Sequence, residues 1–261
     1  MPSPAPALPR RAALVTGGAR RIGAAIVKLL ARSGYAVAIH AQRSRADAEG
    51  LAQQIADAGG RAAVVCGDLA DHGAVMALVP SAVTALGPLT LLVNNAAEFE
   101  PDEIGTIEQA RFDRHLAINL RAPLFLAQAF AAQAAGSQIA ARASIVNLLD
   151  QRVLRPTPRY LSYGIAKSAL YAATTTLAQA LAPSIRVNAV APGPTLPNAR
   201  QTPEAFARSS EAMPLGHGAT PEEIAAAVLY LAEARSVTGI TIAVDGGQHI
   251  AWHGDAAASE E

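Results

Sequence analysis

VTGGARRIG, Val15 to Gly23, closes a short apolar run and opens a helical pattern. In open α/β sheets the first strand's carboxyl end feeds a helix whose unpaired N–H groups and dipole attract phosphate. Gly17 and Gly18 permit the tight turn there, and Gly23 lets the helix pack closely. A glycine-rich loop is by itself a weak signal. Its unusual members are Arg20 and Arg21, charged forks where such loops carry small residues.

Outward from that junction, seven β-rich runs alternate with six helical segments: ALVTG, YAVAIH, AAVVCGD, TLLVNNA, ASIVNLL, IRVNAVAPG and ITIAVDGG. Continuously apolar strands separated by helices indicate a parallel sheet covered on both faces. The fold class is α/β, a doubly wound seven-stranded parallel sheet in one domain spanning 11–250. Pro192 to Gly218 is too long for an ordinary connection and follows a strand's carboxyl end, so 194–218 is the expected substrate lid. Residues 1–10, with Pro2, Pro4, Pro6 and Pro9, and the small, acidic 251–261 read as disordered tails.

The 261 residues are 51% hydrophobic, enough for a sizeable core, and 21 basic residues balance 21 acidic ones. Zero net charge provides no global field to recruit nucleic acid or an anionic membrane. No apolar run approaches the roughly 18 to 20 residues of a membrane span, and the N-terminus lacks a signal peptide's apolar core, so a cytoplasmic location is expected. Cys66, in AAVVC, reads as a buried strand thiol, and one cysteine excludes a disulfide within the chain. His249 and His253 have ligand-like spacing without a third ligand nearby, so no metal is expected.

After the second strand stands HAQRS, His40 to Ser44, without the acid that NAD sites use on ribose hydroxyls. Arg43 and Ser44 suit the 2′-phosphate of NADP, or are solvated residues opening a helix. Asp68, after the third strand, either accepts from an adenine amino group or caps a helix. Tyr163 and Lys167 stand four apart, on one face of the longest helical run. An ammonium beside a phenol favours phenolate and brings it toward proton transfer near neutral pH.

TGGARRIG, NNA at Asn94 to Ala96, Asn119 in INL, the Tyr163/Lys167 pair and Pro192–Gly193 resemble, in order and spacing, the short-chain dehydrogenase/reductase family from about Ala12 to Gly247. The resemblance implies a Rossmann fold, usually tetrameric, that moves hydride to or from a nicotinamide. It implies that Tyr163 is the proton donor, that Lys167 holds the nicotinamide ribose and lowers the tyrosine pKa, and that Asn119 steadies a water. Gly17, Ile22, His40, Leu69, Asn94, Ala96, Pro192, Gly193 and Thr195 would contact the cofactor.

Two positions depart from the family pattern. Arg21 replaces the middle glycine of TGxxxGxG, and Asp150 replaces the serine thirteen residues before the tyrosine, Ser144 being too far upstream. With HxxRS and the Phe99 of NNAAEF, these departures resemble pteridine reductases and the bacterial dihydromonapterin or alternative dihydrofolate reductases. That likeness implies NADPH as cofactor, Arg21 reaching its phosphates and a pterin, Phe99 stacking on the pterin, and Asp150 assisting proton delivery. Ala97 stands where pteridine reductases often carry serine. Arg20 either touches the adenosine phosphate or is solvated. Trp252, beyond the last strand, reads as an interface anchor. The alternatives are a carbonyl reductase and a silent dinucleotide sensor; intact Tyr163 and Lys167 argue against silence.

Overall fold

In β1 (Ala12–Val15), Ala12 and Leu14 enter one apolar cluster while Ala13 and Val15 enter another, because successive side chains leave a strand on opposite faces. β4 (Leu91–Asn94) repeats this, with Leu92 on one side and Leu91 and Val93 on the other. Ile145 and Val146 divide in the same way in β5 (Ser144–Leu148). The strands therefore read as unbroken apolar runs because both faces are core. These features come from a computed structural model that describes residues 11–135, 142–198 and 200–251.

With β2 (Ala36–Ala41), β3 (Ala62–Cys66), β6 (Arg186–Pro192) and β7 (Thr241–Val244), the sheet runs β3-β2-β1-β4-β5-β6-β7, every pair parallel. α1 (Arg21–Arg32), α2 (Arg45–Asp57) and α8 (Pro221–Glu233) cover one face through Ile26, Leu30, Leu51 and Leu231. α3 (His72–Leu86) and α5 (Ala122–Ala134) cover the other through Leu78, Leu126 and Phe130. Phe130 is fully buried, and truncating it to alanine would cost about 3–5 kcal/mol. The strand order reverses between β1 and β4, which opens a crevice at the carboxyl ends of the strands. Thr16 bridges that reversal, its hydroxyl accepting from the backbone N–H groups of Asn95 (2.9 Å) and Ala96 (3.0 Å).

α4 (Gln109–Leu116) passes through a π-helical turn, Ala117–Arg121, into α5. α6 (Leu161–Leu181) is the longest helix described, and α7 (Pro203–Glu211) gives the expected lid segment a helix of its own. Cys66 corrects the sequence expectation: it ends an edge strand, and its thiol is exposed rather than buried. Among the described residues no helix is long and apolar enough to cross a membrane. The expectations for 1–10, His253 and Trp252 fall outside the described residues.

Candidate active site

The glycine loop closes tightly on α1. Gly17 takes φ 61, and a Cβ on Gly23 would lie 2.1 Å from the Gly17 carbonyl oxygen, so no larger residue fits there. His40 holds this loop from β2. Its Nδ1 accepts from the Gly17 N–H (3.1 Å), which leaves the proton on Nε2, 3.0 Å from the Gly67 oxygen. The Gly18 N–H donates to the His40 carbonyl (3.0 Å). Burial holds the imidazole pKa below its ordinary value, in keeping with that neutral tautomer.

Beside the loop lies a cavity of about 490 Å³ whose wall includes Gly17, Arg20, His40, Arg43, Ser44 and Leu69. The Arg20 side chain is exposed, and its Nε (2.7 Å) and Nη2 (2.5 Å) both reach Asp47 on α2. Asp68 is not the helix cap, since Asp71 caps α3 through the Ala74 N–H (2.6 Å). Asp68 instead accepts from the Ala70 N–H (2.9 Å), and the following residue, Leu69, reaches the cavity. Asn94 also needs correction. Its side chain is buried and donates to Asn147 on β5 (2.9 Å), while Asn95 and Ala96 form the wall. Asn95 braces the loop by donating to the carbonyls of Thr16 (2.8 Å) and Gly17 (3.1 Å).

A second cavity, about 230 Å³, shares Arg21, Ile22, Asn95 and Ala97 with the first. Its own wall includes Phe99, Asp150, Tyr163, Lys167, Gly193 and Thr195, and Pro192 joins them. Tyr163 and Lys167 come from the first turns of α6. Tyr160, at the N-cap of α6 with φ 57, makes no side-chain cap bond. The cap comes from buried Asp102, which accepts from the Ser162 N–H (3.0 Å) and, through its other oxygen, from the Ser162 hydroxyl. A carboxylate there also complements the helix dipole.

The Tyr163 hydroxyl donates to Asp150 Oδ2 (3.0 Å). Asp150 caps a short 3₁₀ turn, Gln151–Val153, and its Oδ1 accepts from the Arg152 N–H (2.9 Å). Burial and then the Asp150 carboxylate raise the phenol pKa well above its ordinary value, with Arg152 opposing them. Burial and Asp150 thus act in the opposite direction to the acidifying effect expected of Lys167. Lys167 lies 5.8 Å from the tyrosine ring centroid and donates to the Leu148 carbonyl (2.6 Å); burial lowers its own pKa to about 8. Tyr163 therefore stands as a protonated donor.

A family model described as enoyl-(acyl carrier protein) reductase matches residues 17–249. A relative from Methylorubrum extorquens, described as an uncharacterized oxidoreductase, is 36% identical over 247 residues, 91% of this chain and 97% of the relative. The chain belongs to the short-chain dehydrogenase/reductase family. FolM alternative dihydrofolate reductase 1 from Brucella canis, whose structure was solved with NADP, is 48% identical with a TM-score of 0.90, over 94% of this chain and 96% of that one. A short-chain dehydrogenase/reductase from Serratia marcescens is 34% identical with a TM-score of 0.85, over 92% and 98%.

As a short-chain dehydrogenase/reductase, the protein is unusual at the two positions singled out from its sequence. Arg21 adopts φ 52, the left-handed region that suits the family's glycine, at a cost of about 1–2 kcal/mol for a residue with a Cβ. Its guanidinium donates to the carbonyls of Pro197 (2.8 Å) and Leu196 (3.1 Å), tying the phosphate loop to the segment after β6. Phe99 stacks on Tyr160, with ring centroids 4.3 Å apart and planes 4° from parallel, and meets Tyr163 edge-on at 4.8 Å.

Both ends of the Asn119 amide hold the Glu98 backbone (2.9 and 3.0 Å), so its side chain fixes the Phe99 loop. Its place in a π-helical turn is one common at functional sites. Thr195 donates to the Gly193 carbonyl (3.0 Å). The sequence reading missed Asp102, Arg152, Tyr160 and Arg200. Of these, Arg152 stands two residues after Asp150, Tyr160 three before Tyr163 and Asp102 three after Phe99; Arg200 arrives from the lid segment to reach Glu100 (3.0 Å) and the Phe99 carbonyl (3.0 Å).

Proposed function

We propose that this protein is an NADPH-dependent reductase of a pterin or dihydropterin ring. The observation that carries the reading is the Tyr163–Asp150 hydrogen bond. Three donors converge on Asp150: the Tyr163 hydroxyl and the backbone and guanidinium of Arg152. A carboxylate so surrounded acts as an acceptor. It would repel the oxygen of a ketone as negative charge develops there, whereas a ring nitrogen that carries a proton is a donor beside which an acceptor is favourable. The 48% identity to FolM alternative dihydrofolate reductase 1, crystallised with NADP, supports the same substrate and cofactor class.

The cleft suits a dinucleotide phosphate. The Gly23 position leaves no space for a side chain at the loop, and Arg43 and Ser44 stand on the cavity wall without an acid between them. Gly17, Ile22 and Ala96 would border the pyrophosphate side, Arg43 and Ser44 would take the 2′-phosphate, and Lys167, Pro192, Gly193 and Thr195 would hold the nicotinamide end. When bound, NADPH supplies the hydride to the carbon of a pterin C=N bond. Tyr163 gives its proton to the nitrogen of that bond, and the phenolate is reprotonated from solvent. Arg21 and Phe99 border the substrate, with Phe99, backed by its stack with Tyr160, stacking on the pterin.

Following NADPH oxidation with dihydrobiopterin, dihydromonapterin, dihydrofolate and a ketone panel tests this reading. Efficient ketone turnover with no pterin turnover would refute it. We also carry over the family's tetramer and a cytoplasmic setting, the first testable by light scattering and the second by fractionation.

A further inference from the structure

The carboxylate that replaces the family's serine raises a charge problem. When Tyr163 gives its proton to the substrate nitrogen, a phenolate forms next to Asp150 Oδ2, 3.0 Å away, and two negative oxygens face each other in a largely buried site. Lys167 sits across the ring and is committed to the Leu148 carbonyl. The cation on the Asp150 side is Arg152. Its Nη1 lies 3.2 Å from Oδ2 and 3.4 Å from Oδ1, and both side chains are only 15% exposed. The guanidinium carbon also lies 5.3 Å from the Tyr160 ring and 5.5 Å from the Phe99 ring, so the group is held from two directions. Oδ2 is thereby shared between the cation and the proton donor.

We propose that Arg152 is a positioning residue of the proton-transfer step: it holds Asp150 aimed at Tyr163, and offsets the negative charge created when Tyr163 gives up its proton. The balance is that of the reduction itself. Hydride from NADPH goes to carbon, the Tyr163 proton goes to nitrogen, NADP⁺ leaves, and solvent returns a proton to Tyr163. Arg152 gains and loses no proton. The sequence itself makes the geometry local. Asp150 caps the turn that contains Arg152, so the backbone bond to the Arg152 N–H and the guanidinium bond hold one carboxylate from the same short turn. The proposal deepens the pterin-reductase reading, although the contacts it rests on are to Tyr163 and not to a ring.

The test is the pH profile of kcat at saturating NADPH and substrate for the unmodified enzyme, Arg152→Gln, Arg152→Met and Arg152→Lys. Loss of the cation should move the acid limb upward by about one unit or more, because a positive charge in the site favours the anionic form of the groups around it. It should lower kcat about ten- to a hundredfold while substrate KM and NADPH Kd stay within about threefold. Arg152→Lys should return the acid limb most of the way toward its original position. Arg152→Met serves if Arg152→Gln does not fold, with NADPH titration and circular dichroism as the folding controls. An unmoved acid limb with unchanged kcat, or a loss confined to KM, would overturn the proposal. Turnover of dihydrobiopterin by the unmodified enzyme tests the pterin reading separately; if it reduces only ketones, the same profiles are measured with the best of them.

Discussion

Arg21 combines a backbone penalty with a side-chain benefit, and two substitutions separate them. Arg21→Ala removes the guanidinium and keeps a Cβ at φ 52, so the backbone penalty of about 1–2 kcal/mol remains. Arg21→Gly removes both, but glycine adds about 0.5–1 kcal/mol of chain entropy. The bonds to Leu196 and Pro197 are charge-assisted at an exposed side chain, and solvent competition brings the two to about 1–2 kcal/mol together. The alanine variant should therefore lose about 1–2 kcal/mol and the glycine variant about 0.5–1. In urea unfolding at matched protein concentration, Arg21→Gly should be the more stable of the two by about 0.5–1 kcal/mol. Substrate KM should rise by the same factor in both, roughly five- to thirtyfold, because both release the segment after β6. A glycine variant no more stable than the alanine one would refute the strain argument. An unchanged KM would refute the link between the loop and the substrate segment.

Replacing Arg43 by alanine should weaken NADPH about ten- to a hundredfold and leave NADH nearly unchanged in fluorescence titrations, because the lost contact is to the 2′-phosphate alone. Asp150→Ala should lower kcat for dihydropterin reduction about ten- to a thousandfold with NADPH affinity within a few fold, and Asp150→Ser should not restore it; steady-state kinetics decide this. His40 is held neutral by burial, with its folded pKa below the unfolded value of 6.5. Between those values the unfolded chain binds more protons, so stability rises with pH in that window and is lost as pH falls below about 6.5. Buried His115 is shifted the same way, so His40→Gln should reduce this acid slope of the urea midpoint without abolishing it.

The inner strands were legible because they are buried on both faces, which leaves an uninterrupted apolar signal. Gly17, Gly23, Tyr163, Lys167 and Asp150 were legible because loop and helix spacing set their relative positions. Arg152, Tyr160, Asp102 and Arg200 were not, since their roles arise where the β4–α4 loop, the turn after β5 and the lid segment converge, and no periodicity encodes that meeting. The spacing of Tyr163 and Lys167 shows proximity along a helix, whereas the phenol's proton affinity also depends on burial and on a carboxylate from another element. Asn94 and Asn95 were exchanged because one-residue differences at a strand's end decide which side chain enters the sheet and which enters the cleft.

The loop carrying Phe99 has no regular secondary structure, yet its backbone is fastened at successive residues. Asn119 holds both polar groups of Glu98, Arg200 holds the Phe99 carbonyl, and the Glu100 N–H donates to His115 Nε2 (3.2 Å). Rigidity of this sort normally belongs to helices and strands. Slow amide exchange is therefore expected at Glu98 and Glu100, in a segment that a secondary-structure map would mark as open. If Phe99 borders the substrate as proposed, an aromatic shelf that does not yield would select its ligands by thickness and outline, so the ring systems it admits would be fixed when the chain folds and not when the ligand arrives.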